Sequence, residues 1–282
     1  MAGVMGIGEH YNNYLIHLQR ASHLRGSFIF ILITRIVIYN KYAYMVTFKI
    51  KIANKVLEIN AFNESTKRYC GRFLSEEEPN YIITMTEEDL RNESSNSADG
   101  KVYVNEEISA LYRKIADLFV DEGIIVFHGS SFMVNGSGFL ITARSGVGKS
   151  THSKLLSDLI GEDFKYINDD KPLLFVNDSV TVFSSPWNGK ERRGNNISAP
   201  LKAIMFLGRS EEPNFRKIVN KEEIYIKLLS QTYLPKEKAS REKALKIVDK
   251  LLRNVNFYEI NVNTDNESAK MTYERIIKDE TK

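Results

Sequence analysis

A single cysteine, Cys70, leaves no room for a disulfide framework within one chain or for a multi-cysteine metal cluster. It fits a reducing compartment, and a cytoplasmic location is the expectation. Proline and glycine are sparse, at 6 and 16 of 282 residues, which excludes a collagen-like or low-complexity chain. With 43% hydrophobic and 27% charged residues, the chain reads as globular and long enough to bury a sizeable core without covalent staples. Long apolar runs are missing too. The strongest, Phe28 to Tyr39, is interrupted by Arg35 and falls far short of the roughly 20 residues that a membrane-spanning helix needs. No stable membrane span is expected, and no secretory signal, since the basic, apolar and small-residue succession is not found.

Surplus charge is nearly absent. The balance of 39 basic against 36 acidic residues is +3. Residues 1–44 carry all of it, with Arg20, Arg25, Arg35 and Lys41 against Glu9, so the chain from Met45 onward is formally neutral. A nucleic-acid partner is therefore not expected. The first 44 residues also hold His10, His17 and His23, and are read as an extension outside the folded domain. At Met45 the pattern changes. Val46, Phe48, Ile50 and Ile52 alternate with polar residues, the period of a half-buried strand.

From Met45 the chain divides into a β-rich region, 45–105, and a larger mixed region, 106–282. Strands are expected at 46–52, 56–60, 81–85 and 101–104, with a polar loop over 91–100. A helix over 106–120 comes next, then strands at 124–128, 131–134 and 138–142. Further strands are expected at 164–168, 172–176, 179–184, 202–207 and 257–262. Helices are expected at 149–160, 221–233, 236–254 and 266–279.

The strongest motif runs Ala143-Arg144-Ser145-Gly146-Val147-Gly148-Lys149-Ser150. It fits the phosphate-loop pattern at every fixed position except the first, where Ala143 replaces glycine. The apolar Phe139-Leu140-Ile141-Thr142 leads into it and an amphipathic helix leads out. Gly146 and Gly148 let backbone N–H groups turn around phosphate oxygens at the positive end of that helix. Arg144, Ser145, Gly146, Val147, Gly148, Lys149, Ser150 and Thr151 are the expected nucleotide-binding residues, with Lys149 on the β- and γ-phosphates and Ser150 on Mg²⁺. ATP or another nucleoside triphosphate is the expected ligand.

Twenty residues after Lys149 stand Asp169 and Asp170. One carboxylate there can hold Mg²⁺ and its neighbour can accept a proton from an attacking hydroxyl. An ordinary acidic turn before Lys171-Pro172 is the alternative. Trp187, the only tryptophan, is read as core packing or as a plate over a nucleotide base. His152 is expected to face out of the site.

These motifs resemble the catalytic domain of HPr kinase/phosphorylase, a relative of ATP-dependent phosphoenolpyruvate carboxykinases. The resemblance begins at His128-Gly129 and continues through Gly136, Gly138, Leu140-Ile141-Thr142 and the phosphate loop. It resumes at Asp169-Asp170 and at Glu191-Arg192-Arg193-Gly194, covering residues 124–210. Bacterial HPr-kinase-like and carboxykinase-like proteins, some associated with modified-peptide gene clusters, are the nearer likeness. The resemblance implies an α/β fold with a mixed β-sheet carrying the phosphate loop, preceded here by the β-rich N-terminal region. It implies Asp170 as general base and metal ligand, with Asp169 beside it and able to exchange parts. It further implies Glu191 as a metal ligand with Ser150, and His128 and Arg193 stabilising charge on the transferred group. Two departures, Thr151 after the loop serine and Asn195-Asn196 after Arg-Gly, fall near the metal and the acceptor.

The leading expectation is a Mg²⁺-dependent kinase acting on a hydroxyl, of a protein or peptide Ser/Thr or of a small molecule. The alternatives are a nonenzymatic nucleotide-binding regulator or scaffold, and carboxykinase-type chemistry on a small oxo-acid. Oligomeric state stays open.

Overall fold

The computed structural model describes residues 45–93 and 104–281. The chain divides into two units, Met1–Met45 and Val46–Lys282. The extension read over residues 1–44, residues 101–103 of the strand expected at 101–104 and residues 94–100 of the loop expected over 91–100 lie outside the described residues.

The second unit begins with a small sheet. β1 (Val46–Ile52) and β2 (Lys55–Ala61) form a hairpin, and β3 (Tyr81–Thr84) adds parallel to β2. The hairpin turn is Ala53-Asn54, with φ of +47° and +61°. Two positive φ values match the right-handed twist of the flanking strands. Phe48, Ile50 and Ile52 bury one face of β1, as the alternation requires. Between β2 and β3 lie α1 (Glu64–Tyr69) and a 3₁₀ turn over Gly71–Phe73; α2 (Glu87–Glu93) and α3 (Val104–Phe119) come after β3. Buried Glu107 of α3 ties this region down. Its carboxylate accepts from the Thr66 hydroxyl at 2.5 Å, the Asn63 amide side chain at 2.9 Å and the Phe62 and Asn63 backbone N–H groups.

The larger sheet has nine strands among the described residues. They are β4 (Ile124–Val126), β5 (Ser130–Val134), β6 (Ser137–Thr142), β7 (Phe164–Asn168), β8 (Leu173–Val176), β9 (Val180–Phe183), β10 (Ser198–Arg209), β11 (Asn214–Lys217) and β12 (Asn256–Val262). β10 belongs to two neighbourhoods. Its first residues, Ser198–Pro200, pair antiparallel with β9. Beyond a register shift between Leu201 and Ala203 it runs parallel between β6 and β12. β5 and β7 complete that side with antiparallel pairings, so the sheet is mixed.

Helices cover both faces, and period two sorts the strand side chains between them. Leu140, Ile204 and Phe206 meet Ile224 and Leu228 of α5 (Lys221–Leu229) and Ala244, Val248 and Leu251 of α6 (Lys238–Asn254). Their neighbours Phe139, Ile141, Ala203 and Met205 face Leu156 of α4 (Lys149–Ile160) and Ala269 of α7 (Asn266–Thr272). Every residue of β6 is buried, as a strand covered on both faces demands.

Several elements differ from expectation. Val104, read as the end of the strand expected at 101–104, begins α3. The helix read over 221–233 ends at Leu229, and the terminal helix passes through a π turn over Tyr273–Ile277. β11 was invisible because all four of its residues are exposed and show no alternation in burial. α1 and α2, at 6 and 7 residues, are too short to display a helical period. No described helix is long and apolar enough to cross a membrane.

Candidate functional site

β6 delivers the chain to the glycine loop, and α4 receives it. Gly146 and Gly148 have φ of +80° and +122°, which a side-chain-bearing residue adopts only under strain. Gly148 caps α4 without a side chain, so the first N–H groups of the helix face outward unclaimed by a cap. Lys149 reaches back across the loop, its Nζ donating to the Ala143 carbonyl at 3.1 Å. Arg209, at the end of β10, braces the loop from the neighbouring strand. Its Nε donates to the Val147 carbonyl at 2.9 Å and its Nη2 to the Gly146 carbonyl at 2.7 Å. Since the peptide is planar and trans, fixing the Val147 carbonyl on Arg209 turns the Gly148 N–H to the opposite side.

The facing wall starts where β7 ends. Buried Asn168 shapes that turn: its Oδ1 accepts from the N–H groups of Asp170 at 2.9 Å and Lys171 at 2.7 Å, and its Nδ2 donates to Ser185. The two aspartates then part company. Asp169 is buried, its carboxylate accepting from the Gly189 N–H at 2.5 Å and the Arg193 N–H at 3.5 Å. It binds a segment of its own chain. Asp170 is half-exposed, with Oδ1 at 3.5 Å from His128 Nε2 and 3.4 Å from Lys171 Nζ. His128 is oriented by Gln231, which lies just beyond α5: its Nδ1 is 3.0 Å from Gln231 Oε1, and that oxygen also accepts from the Thr142 hydroxyl.

Burial pulls Lys149 below the ordinary ammonium range, with the Asp170 carboxylate opposing and Lys171 adding to the shift. Burial likewise lowers His128, helped by the charges of Lys171 and Lys149. The lowering favours the neutral imidazole, with Nδ1 facing the Gln231 oxygen and Nε2 facing the Asp170 carboxylate.

An open cleft of ≈ 580 Å³ lies between these walls. Ser145, Gly146, Gly148, Lys149, Ser150 and Thr151 line one side; His128, Asp169 and Asp170 line the other. Arg193 reaches the first wall from beside it, with Nη1 donating to the Ser150 carbonyl at 3.3 Å. Glu191 stands 66% exposed, its carboxylate 3.7 Å from Arg193, and does not line the cleft. Arg144 is exposed and also outside the lining. A second cleft of ≈ 530 Å³ opens on the far side of the loop, where Val147, His152, Val262 and Asn263 join it. Gly148, Thr151 and Arg209 belong to both clefts.

One side chain sits other than expected, and another takes the first of its two readings. His152 points inward rather than out: it is 1% exposed, with Nε2 at 3.0 Å from the Thr272 hydroxyl, and burial pushes its pKa down to about 4. Trp187 takes its packing alternative, edge-on to Tyr112 with its indole N–H donating to the Ile108 carbonyl at 3.1 Å. Arg209, Asn168 and Gln231 were missed. Only Arg209 left a trace, as a cation two residues beyond the apolar run 203–207.

The chain offers Ser150 and Asp170 within one cleft to a divalent cation, a set that suits Mg²⁺ when phosphate and water supply the remaining oxygens. Nothing lies within 4 Å of a Cβ built on Gly146 or Gly148, so the loop leaves room for a close ligand there.

No family model and no curated protein matches the chain. Among solved structures, the HPr(Ser) kinase/phosphatase from Coxiella burnetii aligns at 13% identity with a TM-score of 0.30, spanning 55% of this chain and 98% of that one.

Proposed function

We propose that this chain is an HPr-kinase-like phosphotransferase that moves the γ-phosphoryl of ATP to a hydroxyl with the help of Mg²⁺. The observation that carries the reading is the meeting of the glycine loop, Lys149 and the Asp170–His128 pair in one cleft. Phosphoryl transfer asks little covalent chemistry of a protein and much positioning and charge neutralisation. Backbone N–H groups of the loop and the start of α4 hold the phosphates. Lys149 exchanges the Ala143 carbonyl for the β- and γ-phosphates. Ser150 and Asp170 would hold Mg²⁺, which would supply neutralisation of the phosphate charge. Asp170 receives the proton of the attacking hydroxyl, and His128, with Nε2 3.5 Å from that carboxylate, stabilises the charge on the transferred group. The nucleoside passes over Arg209 into the second cleft, which shares Gly148 and Thr151 with the first.

The test is incubation with γ-labelled ATP and Mg²⁺ against a panel of hydroxyl-bearing peptides and small molecules, beside an Asp170→Asn variant. Labelled product that falls by about 100-fold in the variant is expected of a lost general base. Nucleotide binding with no transfer to any acceptor would sink the kinase reading.

A further inference from the structure

A smaller pocket of ≈ 240 Å³ adjoins the cleft, its wall including Arg68, Tyr69, Arg72, Asn188 and Arg192. Asn188 lines the main cleft as well, so the two recesses share a wall. Three arginines line the pocket and no carboxylate-bearing residue does. Their contacts are with neutral groups. Arg68 Nη2 donates to the Ser65 hydroxyl at 2.6 Å. Arg72 Nη1 donates to the carbonyls of Arg192 and Gly194, and Arg192 lies 5.1 Å from the Tyr69 ring centre. None of the three forms an ion pair among the described residues. Each guanidinium has five N–H donors, and these contacts use few of them.

The placement links this pocket to the transfer site. Asp169 holds the Gly189–Arg193 segment through the N–H groups of both end residues, and the turn closes with the Arg192 N–H on the Gly189 carbonyl at 3.0 Å. Within that turn Arg192 has φ of +47°, a strained conformation for a side-chain-bearing residue. One segment therefore lines the cleft through Gly189 and supplies a cation to the pocket through Arg192.

We infer that the pocket takes an anionic group, a carboxylate or a phosphate, carried by the phosphoryl acceptor, so that the acceptor's hydroxyl reaches Asp170 past Asn188. The inference rests on the kinase reading for the ligand's role, and on the pocket alone for its charge. A planar guanidinium is the side chain best suited to grip such a group through paired hydrogen bonds.

Inorganic phosphate and succinate are the probes. They are titrated calorimetrically into full-length Lys149→Ala protein, which lacks the glycine-loop cation that lines the main cleft, and into the same protein carrying Arg68→Gln and Arg192→Gln. Saturable binding that weakens by about ten-fold in the second protein is expected. Tighter binding of succinate marks a carboxylate-bearing acceptor, and tighter binding of phosphate a phosphorylated one. Equal affinity for both proteins, or no saturable binding to the first, overturns the inference. Arg68→Gln alone, an exposed side chain, serves if the double substitution unfolds; about a three-fold loss is then expected. Binding of a nonhydrolysable ATP analogue with Mg²⁺ to the unsubstituted chain is measured separately. If the analogue binds and the anions do not, the pocket assignment fails alone. If the anions bind and the analogue does not, the nucleotide reading fails and the pocket keeps its charge assignment.

Discussion

The two walls of the cleft are built by different means. The glycine-loop wall rests on regular elements, a fully buried strand leading into a 12-residue helix, with Arg209 clamping the turn between them. The aspartate wall has no helix of its own. It is held by side chains gripping backbone: Asn168 on Asp170 and Lys171, Asp169 on Gly189 and Arg193, Arg72 on Gly194. The first wall takes its shape from local chain geometry, the second from contacts between distant segments. Binding and chemistry should therefore fail separately when each wall is disturbed.

The largest separation is expected at the aspartates. Asp170→Asn should lower phosphoryl transfer by about 100-fold while leaving affinity for the nucleotide without Mg²⁺ within a few-fold. Equal losses of both, measured by labelled transfer and by calorimetry, would show that the walls are not independent.

On the first wall, His152 offers a pH test. Its folded pKa of about 4 lies below the ordinary 6.5. Below pH 6.5 the unfolded chain takes up a proton that the folded chain refuses, so stability falls as pH drops toward 4 and levels off below it. A shift of this size corresponds to roughly 3 kcal/mol. Denaturant titrations of the chain and of His152→Gln should diverge by that amount across this interval; parallel profiles would reject the assignment.

Asp169→Ala attacks the second wall. Leaving the Gly189 N–H without its acceptor should cost about 1–3 kcal/mol, visible as a lower denaturation midpoint. Here the comparison predicts weakened transfer with nucleotide binding largely kept, because the glycine loop meets this latch only through the Arg193 contact to the Ser150 carbonyl. The smallest effect is expected for Arg209→Gln, which loosens the brace without removing the loop. Nucleotide affinity should fall by about five-fold, consistent with about 1 kcal/mol for the lost bonds. An unchanged affinity would mean that the glycines alone hold the loop.

Legibility in the sequence divides along the same line. The glycine loop, its strand and its helix could be read because their signals lie within a few neighbouring residues. The alternation of β1 was equally plain, since one of its faces is buried. The Asp169–Asp170 pair could be found, but not its partition into a buried latch and a half-exposed group. That depends on Gly189 and Arg193, twenty and more residues away. Gln231 behind His128 and Thr272 behind His152 are separated from their partners by 103 and 120 positions. No spacing rule connects such residues; only the packing of α5 and α7 against the sheet does. Val104 was misread because β-branched residues favour strands, whereas it stands at a helix start.

β10 connects the two walls. The segment holding Gly189 to Asn196 feeds into its start, and Arg209 stands at its far end. Along its parallel stretch, alternate side chains serve opposite cores. Losing a single residue between Ala203 and Gly208 would exchange the two sets and swing the terminal guanidinium to the wrong side of the sheet. In a diverging lineage, insertions and deletions should therefore accumulate before Ser198, where the loop can absorb them. The strand's length should stay constant even as its individual apolar residues drift.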